Sequence, residues 1–233
     1  MRPIQRSDKF DTAGNPVEYN PWSDAKKTLI DEIGDYCSYC GKHLTRSALA
    51  IEHIHAKKCT NTAGVFIYES QQYHWNNFLL SCTNCNSVKA NKDVVILQPY
   101  LPHLDNLLCG IEITQSGLIQ LKTNLPLIVQ QKTQAFIDLI GLNRDPSHPK
   151  YSDKDDRWEY RMTAYEEAEN QLKNYQQGTA TITQIVTIAR KFGFFTVWYL
   201  RFANYTIVRA ALINAFVGTR IAAFDASNNY NPI

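Results

Sequence analysis

Two Cys-x-x-Cys pairs constrain this chain more than any other feature of its sequence. The first pair is Cys37 and Cys40, the second is Cys82 and Cys85, and 41 residues separate the two pairs. Four thiolates complete the tetrahedral coordination of a structural Zn²⁺, and each pair can curl round the metal in a tight turn. Because four thiolates leave no open position for water, we expect this zinc to stabilise the fold and to take no part in catalysis.

The composition is that of an ordinary globular protein. A chain of 233 residues with 44% hydrophobic side chains can bury a core of its own, and its length fits one or two domains. The N-terminal residues lack the apolar segment of a signal peptide, and no apolar run is long enough to cross a bilayer. We therefore expect a cytoplasmic protein whose cysteines stay reduced, with no role for the unpaired Cys59 and Cys109.

The N-terminal half predicts the elements that surround the cysteine pairs. In chain order they are a helix over 25–33 that ends at Gly34, strands over 49–54 and 77–81, and a helix over 84–92. A long loop, 55–76, joins the two strands, and long loops inside compact domains are commonly functional. The predicted order is therefore strand, loop, strand, helix, with the loop held at both ends by the cysteine pairs.

The C-terminal half has a different pattern. A β-hairpin is predicted over 111–122 with Gly117 in its turn, and amphipathic stripes beyond Pro126 predict helices, the first over 133–141. The fold class is therefore α+β. We expect one domain over 1–98 that contains the zinc site, and a mainly α-helical domain over 99–233 with a small β-hairpin.

Residues between the cysteine pairs and just after the second pair carry a carboxylate, an imidazole and two carboxamides. Glu52 and His53 are neighbours on the first strand, so one can coordinate a metal while the other faces the substrate. Asn77 begins the second strand, and Asn86 lies one turn into the following helix with Lys89 on its face. A carboxamide oxygen beside a carboxylate suits Mg²⁺, and an imidazole can act as a general base.

Together these motifs resemble the HNH endonucleases, a family with a ββα-metal core. The resemblance is carried by Cys37-x₂-Cys40, Glu52-His53-Ile54, Asn77-Phe-Leu-Leu and Cys82-x₂-Cys85-Asn86-x₂-Lys89. It implies that His53 is the general base, that Glu52 and Asn86 bind one catalytic Mg²⁺ or Mn²⁺, and that Asn77 holds two loops together.

Phosphate binding is expected from lysines near these motifs, because the net charge of the whole chain is only +2. Lys89, with Lys57 and Lys92, is expected to neutralise phosphates next to the scissile bond without reading sequence. DNA is the expected substrate.

A wider resemblance extends over most of the chain, to the HNH nuclease subunit of Septu anti-phage systems, including those attached to retrons. Beyond the site motifs it is carried by Met1-Arg-Pro-Ile-Gln-Arg, His148-Pro-Lys-Tyr-Ser-Asp, Arg157-Trp158, Trp198, Phe216, Gly218-Thr219 and Phe224. It implies a role in anti-phage defence, an ATPase subunit as partner, and contact with retron components through that ATPase. Gly41-Lys42 does not complete a P-loop, so ATP binding would belong to the partner subunit. The C-terminal domain is the expected docking surface for that subunit.

The main alternative is a zinc-ribbon adaptor that binds nucleic acid or protein without catalysis. Four cysteines and nearby lysines would satisfy that function. It does not require Glu52 and His53, nor the spacing of Asn77 and Asn86, and we therefore favour the endonuclease. A second enzymatic alternative, a cysteine nucleophile assisted by His53, fails because the nearest thiols are the expected metal ligands.

Overall fold

The computed structural model describes residues 1–233 and has an α+β fold. Eight α-helices occupy Ala25–Ile33 (α1), Thr83–Lys89 (α2), Val94–Leu97 (α3), Leu127–Ile140 (α4), Arg157–Gln176 (α5), Ile182–Phe192 (α6), Phe195–Arg201 (α7) and Thr206–Ala215 (α8). Six short strands occupy Ala50–His53 (β1), Phe78–Ser81 (β2), Ile111–Ile113 (β3), Ile119–Leu121 (β4), Phe224–Asp225 (β5) and Asn231–Pro232 (β6). None of the helices is both long and apolar enough to cross a lipid bilayer.

Strands β1 and β2 pair antiparallel, and α2 follows β2 after a single residue. The register places Ala50 opposite Ser81 and His53 opposite Phe78. All four residues of β2 are buried, which explains why this strand reads as a continuous apolar run instead of an alternating one. Cys82 caps α2, its Sγ accepting a hydrogen bond from the amide of Cys85 at 3.4 Å. The predicted order of strand, loop, strand and helix is present.

The other small sheets are also antiparallel pairs. Strands β3 and β4 form the predicted hairpin, and Gly117 in its turn has φ +73°. A Cβ at that position would lie 2.8 Å from the backbone nitrogen of Met162 in α5, so a glycine is required both by conformation and by the close approach of the helix.

Two predicted helices have different bounds in the structure. The helix predicted over 84–92 ends at Lys89, because Ala90 adopts a positive φ of 47°. The helix predicted over 133–141 is longer and begins at Leu127. Its first turn leaves Leu127 and Ile128 67% and 56% exposed, so these apolar residues do not continue the buried stripe that marks the rest of the helix.

The buried apolar side chains form two cores. The first contains side chains from the N-terminal segment, α1, β1, β2 and both cysteine pairs, and it continues through the hairpin to α4 and Leu142. The second contains α5 to α8 and β5, with Tyr36 and Leu108 from earlier in the chain. The expected domain boundary after residue 98 therefore falls inside the first core, because α4 packs on α2 through side chains such as Phe136 and Ile140.

Candidate active site beside a four-cysteine cluster

The four cysteines of the two pairs meet at one buried point. The Sγ atoms of Cys37, Cys40, Cys82 and Cys85 all lie within 4.8 Å of one another, and we call this group the cysteine cluster. Cys40 and Cys82 approach to 3.8 Å between sulfurs. Four converging thiols are a donor set that can hold a metal such as zinc.

Backbone hydrogen bonds form the first cysteine turn and fix it to the sheet. The amide of Gly41 donates to the carbonyl of Cys37 at 2.9 Å, and the amide of Ser38 donates to the carbonyl of Leu80 in β2 at 2.8 Å. The cysteine cluster is therefore attached to the same strand that positions the rest of the site.

Arg157, at the start of α5, adds a buried cation to the cysteine cluster. Its Nη1 lies 3.2 Å from the Sγ of Cys85 and also donates to the carbonyl of Ile140 at 2.7 Å. Burial alone would lower the pKa of Arg157, but the carboxylate of Asp155 and the charges of Cys85 and Cys40 raise it overall. No spacing rule connects residues 157 and 85, so sequence reasoning did not find this contact.

A cavity of about 150 Å³ is lined by three of the residues predicted for catalysis, Glu52, His53 and Asn86, the last of which follows Cys85 in the chain. It is lined by Glu52, His53, Ala56, Lys57, Lys58, Asn86, Ala90 and Asn91, and we call it the β1–α2 cavity. A larger cavity of about 620 Å³ lies elsewhere, between α3 and α4, and Lys92 is its only lining residue among those predicted for the site.

The imidazole of His53 is fixed by one hydrogen bond and two aromatic contacts. Its Nε2 lies 2.9 Å from the carbonyl oxygen of Gln72 and must carry the proton, because a carbonyl only accepts hydrogen bonds. Nδ1 is therefore the unprotonated nitrogen. The rings of Phe78 and Trp22 contact the imidazole edge-on, with centroids 5.3 and 5.7 Å away. Burial, chiefly, and the charges of Lys57 and Lys89 lower the pKa of His53, which keeps the ring neutral near pH 7.

Asn77 joins the loop after β1 to the loop before β2. Its Oδ1 accepts a hydrogen bond from the amide of His55 at 2.7 Å, and its Nδ2 donates to the carbonyls of His55 and Gln71, both at 3.1 Å. Gln71 precedes the residue that binds His53, so Asn77 also fixes the support of the imidazole. These contacts agree with the expected role of Asn77 in holding two loops together.

Glu52 forms a buried ion pair that the sequence did not predict. The Nζ of Lys89 lies 2.7 Å from Oε1 of Glu52 and donates to the carbonyl of His53 at 2.8 Å. Tyr39 donates to the same Oε1 at 3.4 Å. Burial raises the pKa of Glu52, and the charge of Lys89 opposes that shift. Lys89 is fully buried in these contacts, so none of its side chain is exposed at the cavity, and its expected contact with a substrate phosphate stays a prediction.

The remaining predicted residues differ in their accessibility to a substrate. Asn86 is half-buried at the wall of the cavity, and its carboxamide makes no hydrogen bond within the protein. Lys57 also lines the cavity, with Nζ 3.4 Å from the centre of the Trp22 ring, and the exposed Lys58 lies beside it. Lys92 instead donates to the carbonyls of Asp138 and Leu139 at the end of α4, where it caps that helix.

The β1–α2 cavity offers hard oxygen donors that fit a divalent cation. Oε2 of Glu52 makes no hydrogen bond and is not fully buried, and the carboxamide of Asn86 is unpaired at the same cavity. Carboxylate and carboxamide oxygens are the ligands that Mg²⁺ and Mn²⁺ prefer, and two protein ligands leave positions open for water or phosphate.

Comparison with known proteins gives no family for this chain. No protein-family model matches it, and no curated protein matches it.

Proposed function

We propose that the protein is a metal-dependent endonuclease of the HNH type that hydrolyses phosphodiester bonds, with DNA as the expected substrate. The observation that carries this proposal is the imidazole of His53, whose Nε2 lies 2.9 Å from the carbonyl oxygen of Gln72, in the same small cavity as Glu52 and Asn86. The antiparallel β1–β2 pair followed by α2 supports a ββα-metal core, with the cysteine cluster as its structural zinc site.

Each residue has a defined task in the proposed reaction. Glu52 and Asn86 would hold Mg²⁺ or Mn²⁺, which when bound stabilises negative charge on the phosphate oxygens. His53 would take a proton from water through Nδ1 while its Nε2 remains bonded to Gln72, a general-base contribution of roughly 10²–10⁴ in rate. Lys57 and Lys58 at the cavity wall would neutralise adjacent phosphates without distinguishing sequences.

We also propose that this activity serves anti-phage defence together with a Septu-type ATPase in the cytoplasm, with retron components reached through that ATPase. The support for this part is the resemblance of the sequence motifs. The absence of a complete P-loop in this chain agrees with ATP binding by another subunit.

The experiment is cleavage of supercoiled plasmid, linear duplex DNA, single-stranded DNA and RNA by the purified protein, alone and with the ATPase. We expect cutting with Mg²⁺ or Mn²⁺, loss of cutting in EDTA, and recovery when Mg²⁺ is returned. Zinc content is measured before and after EDTA, so that loss of the structural metal is not mistaken for loss of the catalytic one.

Nucleic acid that is bound but never cut, under any metal condition and with the ATPase present, would instead favour the zinc-ribbon adaptor.

A further inference from the structure

Lys89 is the least accessible charged group near the β1–α2 cavity. Its side chain is fully buried, and its ammonium donates to Oε1 of Glu52 at 2.7 Å and to the carbonyl of His53 at 2.8 Å. Lysine is almost never fully buried unless it is paired, and the pairing here is with an expected metal ligand. The ion pair therefore lies inside the candidate site and is not a surface contact.

This ion pair determines the net charge that a cation entering the cavity would meet. Glu52 is the only carboxylate among the lining residues, and Lys89 neutralises it. Lys57 and Lys58 add positive charge at the wall, while Asn86 and Asn91 add none. Affinity for a divalent cation rises with the number of charged ligands, so a cavity with no uncompensated negative charge should bind one weakly.

We propose that Lys89 is an internal counter-ion that keeps the metal affinity of the free protein low, so that a divalent cation is held firmly only together with a phosphate group. A phosphodiester supplies the negative charge that Lys89 has removed from Glu52, and Lys57 and Lys58 can contact the same group. Metal and nucleic acid would then bind cooperatively. This inference rests on the proposed function, since it takes Glu52 as the metal ligand.

The same contacts give Lys89 a positioning role. By occupying Oε1 it leaves Oε2 as the oxygen of Glu52 that is free to bind a cation. Its hydrogen bond to the carbonyl of His53 fixes the backbone at the end of β1, which carries the imidazole. Removal of the ammonium should therefore change the affinity for metal, because it removes a positive charge beside Glu52. Methionine in place of Lys89 preserves the volume of the buried aliphatic part of the side chain.

The test is Mn²⁺ binding to zinc-loaded protein without nucleic acid, followed by electron paramagnetic resonance. We expect Lys89→Met to bind Mn²⁺ about tenfold more tightly than the wild type or better, because a buried cation beside the metal ligand has been removed. Lys27→Met removes the same charge from an exposed side chain of α1 that does not line the cavity, and it should change the affinity less than about twofold, because solvent screens that charge. Unchanged or weaker Mn²⁺ binding by Lys89→Met would overturn the inference.

A second measurement decides the question if Lys89→Met does not fold. Mn²⁺ affinity is then measured for the His53→Ala protein, which retains Lys89, with and without a short DNA oligonucleotide. A millimolar dissociation constant that falls about tenfold or more with the oligonucleotide supports cooperative binding. A micromolar constant without it, or equal constants, contradicts it.

These results are separable from the test of the proposed function. A protein that cuts no nucleic acid but shows the Lys89 effect on Mn²⁺ would refute the endonuclease and retain the counter-ion. A protein that cuts nucleic acid but shows no effect of Lys89 on Mn²⁺ binding would support the endonuclease and refute the counter-ion.

Discussion

The cysteine cluster and the β1–α2 cavity are neighbours in the chain, but their geometry suits different functions. The cluster has four buried donors within 4.8 Å of one another, the number of thiolates that a structural zinc takes. The cavity has one carboxylate, two carboxamides, the imidazole of His53 and room for solvent. Because Cys85 and Asn86 are adjacent on α2, the cysteine cluster also fixes the position of Asn86 in the β1–α2 cavity.

The two sites also differ in which part of the chain supplies the positively charged side chain that contacts their thiol or carboxylate groups. Arg157 reaches Cys85 from the first turn of α5, 72 residues further along the chain. Lys89 reaches Glu52 from α2 itself, one turn after Asn86. The cysteine cluster is therefore connected to the C-terminal helices, whereas the cavity is completed by local elements. Disruption of the cluster should affect the whole fold, whereas a change at an accessible residue of the cavity should affect function more than stability.

The largest effect on the fold is expected from Cys85→Ser. Loss of one thiolate should release zinc and lower the free energy of unfolding by about 4 kcal/mol or more, because metal binding contributes directly to folding. The measurements are zinc stoichiometry and chemical denaturation. Cys109→Ser, outside the cluster, is the matched control and should retain zinc. An unchanged unfolding curve for Cys85→Ser would contradict a structural role for the cluster.

Asn77→Ala should lower the free energy of unfolding by roughly 2–3 kcal/mol, because it removes three hydrogen bonds of a buried side chain and leaves the amide of His55 unpaired. The side chain of its neighbour Asn76 accepts a single hydrogen bond, from the backbone amide of Lys9, and Asn76→Ala should lower the free energy of unfolding by about 1 kcal/mol at most. Denaturant unfolding of both variants provides the comparison. Equal losses would show that Asn77 does not join the two loops.

Arg157→Lys tests the connection between the cysteine cluster and α5. Lysine keeps the charge but cannot reproduce the several directed contacts of the guanidinium, so zinc affinity should fall roughly tenfold. Competition with a chromogenic chelator measures this. Arg201→Lys, at a half-exposed pair with Glu169, is the control and should leave zinc affinity unchanged. Equal zinc affinity in the Arg157 and Arg201 variants would mean that the contact does not support the metal site.

The smallest effect concerns the titration of His53. Because burial lowers its pKa, the NMR titration of the imidazole should have its midpoint below the ordinary value of about 6.5. The unfolded chain then takes up this proton first, so the contribution of His53 to stability is lost as pH falls below about 6.5. The missing resonance in His53→Ala assigns the signal. A midpoint above 6.5 would contradict a base that is neutral near pH 7.

The cysteine cluster and the order of its surrounding elements could be predicted because both are local in sequence. Cys-x-x-Cys spacing fixes two ligands within one turn, and the apolar run of β2 identifies a buried strand. The roles of Lys89 and Arg157 could not be predicted in this way. Each role depends on which neighbour a long flexible side chain contacts once the chain has packed. For Lys89, the charge alone suggested a contact at the surface.

Packing also explains the difference between the expected boundary after residue 98 and the observed cores. Pro99 and Pro102 lie in a segment without helix or strand that follows α3. The hairpin and α4 nevertheless belong to the same apolar core as the N-terminal elements, and α4 packs on α2.

Cleavage by His53→Ala, measured beside zinc content and thermal unfolding on the same preparation, tests the central claim most directly. The account predicts that Mg²⁺-dependent cutting of DNA falls by about 10² or more, while zinc stoichiometry and the melting temperature stay close to those of the wild type. Cutting at the wild-type rate by this variant would contradict the assignment of the base. Loss of zinc together with cutting would contradict the separation of the cysteine cluster from the catalytic cavity.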